Sequence, residues 1–285
     1  MRRKSDEPIE ATEAMSSARD IISKWKLQLL PSSAYAVAYT AARASIGFAF
    51  ESQRGAHSFD SDRRVDFWTR PNSLAFVPKG CDVTSESERG GEYLTFTVPA
   101  ELLPDRGEQM RFNHAISPDA IKAAFHLRKA LLAAKPQDTL AIEAQLYALL
   151  DVVEQVQAGA YEDPPSAASM TDTRLKRVEE FVEDHLARQM SMSDLAACVD
   201  LSAGFFNRAF KGATGKTPHD YVVERRVARA RKLLGAPYST LSQVAYTCGF
   251  SSHAHMSSTF KKRLGVTPTQ LMTRQVYPAP ARSTV

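Results

Sequence analysis

The sequence predicts an α+β protein in two parts: a small antiparallel β-barrel with helices, then an all-α domain of two helix-turn-helix units. Three observations carry this. One motif occurs twice, fifty residues apart, in the C-terminal third. Short β-branched and aromatic runs, separated by turn-rich segments, fill residues 34 to 98. Charge is divided: residues 171–285 hold 17 basic and 9 acidic side chains, net +8, so residues 1–170 carry net −4 within the chain's +4. At 285 residues and 44% hydrophobic content, the chain is long enough for two separate cores.

Residues 1–20 are polar, lack an apolar core segment, and are expected to be disordered. Residues 21–157 are expected to form a sensor or dimerisation domain. Within it, AYAVAYT, SIGFAFE, VDFWT, LAFV and EYLTFTV read as strands of a barrel or jelly roll over 34–100. The stretches ESQRGAHSFDSDRR and SESERGG read as turns. Tyr39, Phe48, Phe50, Phe67, Trp68 and Tyr93 would line a pocket if the barrel holds one, or else form its core. A metal site needs several converging His and carboxylate ligands. His57 has no His-x-His partner and reads as a surface or hydrogen-bonded residue, so no metal, cofactor or catalysis is expected.

Residues 117–157 read as two helices, SPDAIKAAFHLRKALLAAK and QDTLAIEAQLYALLDVVEQVQAG. In the second, Ile142, Leu146, Leu149, Val153 and Val156 follow a 4, 3, 4, 3 spacing, a heptad seam of two repeats. That seam suits a homodimer through helix 137–157 or packing on the chain's own barrel, which would use the same stripe. The segment AGAYEDPPSAASM has two prolines and no apolar period, and residues 158–171 read as a linker.

The repeat occupies residues 172–275, before a short tail at 276–285. From Ser202 the chain runs SAGFFNRAFKGATGKTP and from Ser252 SHAHMSSTFKKRLGVTP, each after a short apolar helix pattern. Ser202 and Ser252 read as N-caps of the second helix of each pair. Ala196 and Ala245 let the paired helices cross closely. Leu195 with Val199, Val244 with Cys248, Phe206 with Phe210, and Met256 with Phe260 keep the four-residue spacing of a shared core face. Gly215 and Gly265 suit left-handed C-terminal caps. Thr217-Pro218 and Thr267-Pro268 restart a helix, with Gln270 and Asp220 at capping-box positions. Between the units, Pro218 to Leu234 reads as one helix of about 25 Å at roughly 1.5 Å per residue. With its flanking loops it can set two recognition helices about 34 Å apart, in successive major grooves.

In these residues the C-terminal third resembles the DNA-binding domain of AraC/XylS bacterial transcription regulators, through both units, the joining helix with Arg226, Arg229, Ala230, Arg231, Leu233 and Leu234, and the closing GVTPTQLMTR. The segment PNSLAFVPKG resembles a strand and turn of the cupin-like sensor domains found at the N-terminus of that family; Cys81 and Asp82 stand where metal-binding cupins tend to carry a histidine. The resemblance implies double-stranded DNA and RNA polymerase as partners, a homodimer through helix 137–157, a possible small-molecule effector, and an activator of transcription.

Geometry and resemblance together select the exposed first two turns of each second helix as the reading face. The first unit offers Asn207 for adenine, Arg208 for guanine, and Lys211 one turn on; Gly204 has no side chain to offer. The second offers His253, His255, Ser257 and Ser258, with Lys261 and Lys262 for phosphates. Ser258 departs from the basic residue common there in the family. His255 is equally open to structural packing or a phosphate bond, and at least one of Arg226, Arg229 and Arg231 is expected to pair within the domain. From Arg225 to the C-terminus there are ten basic residues and no acidic one.

Two other readings stand beside this: a DNA-targeted enzyme, such as an alkyl-accepting repair protein using Cys81, and a regulator whose N-terminal part only dimerises. Cys198 and Cys248 fall at core positions of the helical units and read as small apolar groups rather than disulfide partners. With no secretory signal or membrane-spanning run, the chain is expected in the cytoplasm, at the nucleoid.

Overall fold

The computed structural model describes residues 18–22, 24–103, 109–133, 138–162, 164–234 and 240–276; of the tails expected at 1–20 and 276–285, residues 1–17 and 277–285 lie outside these. Residues 18–20, expected in the N-terminal tail, belong to a strand. The chain divides into two compact units, Met1–Leu131 with Pro136–Asp163, and Leu132–Lys135 with Pro164–Val285.

The first unit contains strands β1 (Ala18–Ile22), β2 (Trp25–Leu30), β3 (Tyr35–Thr40), β4 (Ser45–Ala49), β5 (Gln53–Phe59), β6 (Val65–Thr69), β7 (Ser73–Val77), β8 (Asp82–Ser87), β9 (Tyr93–Thr97) and β10 (Phe112–Ala115), then helices α1 (Pro118–Leu132) and α2 (Thr139–Gln157). All pairings are antiparallel. Instead of one closed barrel, the strands form two sheets, ordered β1-β2-β9-β4-β7-β10 and β3-β8-β5-β6. β5 and β8 fall in stretches that read as turns. Both are polar, but β5 is hydrogen-bonded on its two sides to β6 and β8, and that ladder overrides the weak propensity of Gln53–Phe59. Gly55 permits it, since a Cβ there would lie 1.9 Å from the Glu86 carbonyl oxygen.

The pleat of the larger sheet sorts its residues by size. Trp25, Leu27, Ile46, Phe48, Leu74, Phe76, Leu94 and Phe96 are buried on one face. Rings from the helices complete that layer: Phe125 of α1 meets Phe48 edge-on at 6.4 Å, and Tyr147 of α2 meets Trp25 at 5.5 Å. A buried Arg128–Glu92 pair at 3.2 Å ties α1 to the start of β9. The alternate residues on β4 and β7 are small, with Gly47 opposite Ala75 and Ala49 opposite Ser73, and they floor a cavity of about 250 Å³ between the two sheets. Tyr39, Phe67 and Tyr93 line it as expected. Phe48 and Phe50 do not, because the pleat turns them to the helix side, where Phe50 meets Phe125 at 5.1 Å; Trp68 is likewise absent from the lining.

The stripe named for the dimer through helix 137–157 is covered by the same packing. Ile142, Leu146, Leu149 and Val153 are 5%, 0%, 0% and 0% exposed within one chain, so the heptad seam is already occupied. A four-residue apolar spacing cannot distinguish a neighbour on the same chain from one on another.

In the second unit, part of the expected linker is packed: Pro165–Ser169 forms a 3-10 turn and Ala167 and Met170 are buried. Helices α3 (Asp172–His185), α4 (Met192–Ala197), α5 (Ala203–Thr214), α6 (Pro218–Leu234), α7 (Leu241–Thr247), α8 (His253–Leu264) and α9 (Pro268–Val276) follow. α4–α5 and α7–α8 are the two helix-turn-helix pairs. Leu195, Ala196, Val199, Phe206 and Phe210, and Val244, Ala245, Cys248, Met256 and Phe260, are all buried. Gly215 (φ 69°) and Gly265 (φ 76°) close α5 and α8 in the left-handed region, donating to the Lys211 and Lys261 carbonyls. Thr267 and Gln270 form the expected capping box. Ser252 caps the His255 N–H at 3.0 Å, whereas Ser202 makes no side-chain cap bond. The backbone enters at φ −69° at Ser202 and −163° at Ser252.

α6 joins the pairs, and Arg226 on it is a junction. It donates to the Leu186 and Arg188 carbonyls beyond α3, at 3.2 and 2.8 Å. Gly249, in the turn between α7 and α8, presses against the same place: at φ 78°, a Cβ there would lie 2.1 Å from the Leu186 oxygen and 2.9 Å from Arg226 Nε. Gly249→Ala is therefore expected to destabilise the second unit by at least about 2 kcal/mol, seen as a lower denaturant midpoint of its helical signal; a midpoint within experimental error of the parent would contradict it. Leu146→Ala is expected to cost about 2 to 5 kcal/mol of first-unit stability with the oligomeric state unchanged, read by thermal unfolding beside sedimentation. A change in association without loss of stability would restore the seam as an interface.

Candidate nucleic-acid interface

The second helix of each pair presents one face to solvent because its other face is packed. On α5, Phe206, Ala209, Phe210 and Ala213 are buried, which leaves Gly204, Arg208 and Lys211 exposed and Asn207 half-buried at the edge. At about 100° per residue these four share one side. Neither Arg208 nor Lys211 has an ion-pair partner among the described residues, so both cations are available to an incoming group. The sequence reading passed over Phe205, which is 40% exposed beside Arg208 on the same helix. The signal was present: Phe206 keeps the four-residue core spacing with Phe210, and two adjacent phenylalanines on an amphipathic helix cannot both face inward.

α8 is built alike but carries different chemistry. His253, Ala254, His255, Ser258, Lys261 and Lys262 are exposed and Ser257 is half-buried. Its polar groups bond to one another. His253 Nε2 lies 3.2 Å from Ser257 Oγ, His255 Nδ1 lies 3.0 Å from Ser251 Oγ, and Ser258 donates to the His255 carbonyl at 3.0 Å. His255 also meets Phe250 edge-on at 5.5 Å. Lys261 donates to the Gly265 carbonyl at 3.0 Å, which leaves its ammonium two further donors.

Not every cation of the basic C-terminal block faces outward. Arg225 pairs with Glu183 of α3 at 2.6 Å, and Arg226 is held by backbone carbonyls. Arg263 of α8 reaches back to α6, bonding Asp220 and lying 3.5 Å from Glu224. Asp220 also accepts from the Thr217 hydroxyl at 2.9 Å. Burial draws its carboxyl upward, but the bonds from Arg263 and Thr217 outweigh burial and hold it below the usual carboxylate range. Arg229, Lys232, Lys261 and Lys262 remain exposed. Charge counting alone could not separate these two groups, since the pairing depends on which helices meet.

Comparison with known proteins agrees with this geometry. Residues 195–274 match the family model described as a helix-turn-helix domain. A probable transcriptional regulator of Photobacterium leiognathi, LumQ, is 36% identical over 93 residues, 33% of this chain and 38% of its own. The transcriptional activator RhaS of Escherichia fergusonii is 33% identical over 101 residues, 35% and 36% of the two chains. The match thus spans little more than a third of the curated relatives' length. A solved transcriptional regulator with an AraC-type DNA-binding domain, from Chromobacterium violaceum, is 31% identical over 38% of this chain and 96% of its own, with a TM-score of 0.36. Two buried-core helix pairs with left-handed glycine caps, a joining helix and the family match coincide on the same residues: residues 195–274 of this chain form a helix-turn-helix domain, similar to those of these transcriptional regulators.

Proposed function

We propose that the chain is a sequence-specific transcription regulator, an activator, whose C-terminal unit reads duplex DNA and whose first unit binds a small molecule. The observation that carries the first part is the pair of outward faces on α5 and α8, on either side of one joining helix to which Arg263 ties α8. In this reading residues 172–275 form the DNA-binding domain, residues 21–157 the sensor domain, and the segment at 158–171 the connection between them. The regulator acts in the cytoplasm, on the nucleoid, and contacts RNA polymerase.

The two faces take different roles. Arg208 addresses a guanine and Asn207 an adenine, each worth about 1 to 3 kcal/mol of discrimination, with Phe205 placed to meet a thymine methyl and Lys211 a phosphate. The histidines and serines of α8 are already bonded among themselves, so Lys261 and Lys262 supply mainly phosphate contacts, with His253, His255, Ser257 and Ser258 adding shape and hydrogen bonds to the same groove. The alkyl-acceptor alternative needs a reactive thiolate. Cys81 argues against it: burial and its bond to Asp60 push the thiol up to about 12, so it stays protonated at neutral pH. The sensing part is supported by the cavity between the sheets, which a unit serving only to pair subunits would have no need to keep open.

Arg208→Ala is expected to relax sequence preference at one base pair while leaving affinity for random duplex nearly unchanged. Lys261→Ala should weaken binding to all sequences and reduce the salt slope by about one. Titrations of the chain's own upstream DNA and of random duplex at several salt concentrations decide it. Equal losses on both duplexes for both variants would overturn the division of roles, and no salt-sensitive preference in the parent protein would overturn the function.

A further inference from the structure

The cavity of the first unit carries chemistry that narrows what it holds. Its volume of about 250 Å³ lies just under the ~300–1,000 Å³ of sites for drug-sized molecules, which limits an occupant to one ring or a short chain. Gly47 and Ala75 floor it, and Gly47 is required there, because a Cβ would lie 1.8 Å from the Tyr93 hydroxyl laid across it. Tyr39, Phe67 and Tyr93 supply flat apolar walls.

Charge in the cavity is one-sided. Its lining includes Arg111 and no aspartate or glutamate. Arg111 is exposed at the mouth, with its guanidinium 3.8 Å from the centre of the Phe59 ring, and no carboxylate among the described residues pairs with it. The nearby acid Asp60 is engaged elsewhere, accepting the Asp82 N–H at 2.7 Å. His57, stacked on Phe67 at 4.7 Å, adds no second cation at neutral pH, since burial and Arg111 both hold it below the usual imidazole range. The expected surface role of His57 is thereby replaced by a place in the cavity wall. An unpaired guanidinium held over an aromatic ring suits a planar carboxylate, which it can meet with two parallel hydrogen bonds.

We propose that this cavity binds a small organic monoanion, its carboxylate on Arg111 at the mouth and its apolar body between Tyr39, Phe67 and Tyr93 over the Gly47–Ala75 floor. The proposal rests on reading the first unit as the effector-binding part of a regulator.

The test uses the full chain, with 3-phenylpropanoate and octanoate as probes against their primary amides and glucose, by calorimetry and thermal shift. Both acids are expected to bind, and each amide to bind at least about tenfold more weakly. Arg111→Gln should remove that preference while leaving amide binding unchanged. Ala75→Leu, which fills the floor, should abolish binding of every probe while preserving cooperative unfolding and DNA affinity. Amides or glucose binding as well as the acids, or acid affinity unaltered in Arg111→Gln, would overturn the ligand class and leave effector binding standing. No binding of any probe would withdraw both, and would leave DNA recognition untouched.

Discussion

Everything the C-terminal unit offers to DNA depends on one close packing point, where Arg226, the end of α3 and the turn at Gly249 meet. Arg226 donates to two carbonyls that α3 leaves without helical partners. The second helix pair reaches that point only because Gly249 has no side chain and takes a positive φ. Thirty-seven residues on, Arg263 returns from α8 to Asp220 and Glu224 at the start of α6. Arg226 thus ties the joining helix to the end of α3, and Arg263 ties the second pair to the joining helix. A loop would allow the two recognition helices to wander; packed helices with paired charges hold a register, and register is what a duplex with a fixed helical repeat demands.

The two faces are not equivalent. α5 presents an unpaired arginine and lysine beside an exposed phenylalanine. α8 closes its histidines and serines into local bonds. Groups already hydrogen-bonded to one another must exchange those partners to address a base edge, whereas Arg208 has none to give up. In the proposed division of roles, the duplication gives reach, and the divergence of side chains gives the first pair the greater part in choosing sequence.

The first unit solves a different problem with a sheet. Its pleat sends large apolar residues to the helices and small ones to the opposing sheet, so core and cavity are two sides of the same strands. Gly47 opposite Ala75 and Thr95 opposite Gly47 leave space that Ile46 and Phe48, one residue along, would have filled. A single-residue slip of β4 would exchange the two sides and remove both.

The helical unit was legible in the sequence because its determinants are local. Caps, four-residue apolar spacings and terminal glycines act within one or two turns, and α6 begins and ends at the residues that spacing indicates, Pro218 and Leu234. Strands β3, β4, β6, β7 and β9 were legible for the same reason, through their alternation of apolar residues. β1, β2, β5, β8 and β10 were not: apart from the apolar Trp25–Leu30, their side chains are polar or few, and they are strands through the hydrogen bonds of their sheet partners. The sequence by itself determined which segments are helical, where the repeat lies and which residue types it exposes. Only the tertiary structure decided that the α2 stripe is covered within the chain, that Arg225, Arg226 and Arg263 are consumed in internal bonds, and that Arg111 and His57 face a cavity, because each of these depends on which surface meets which.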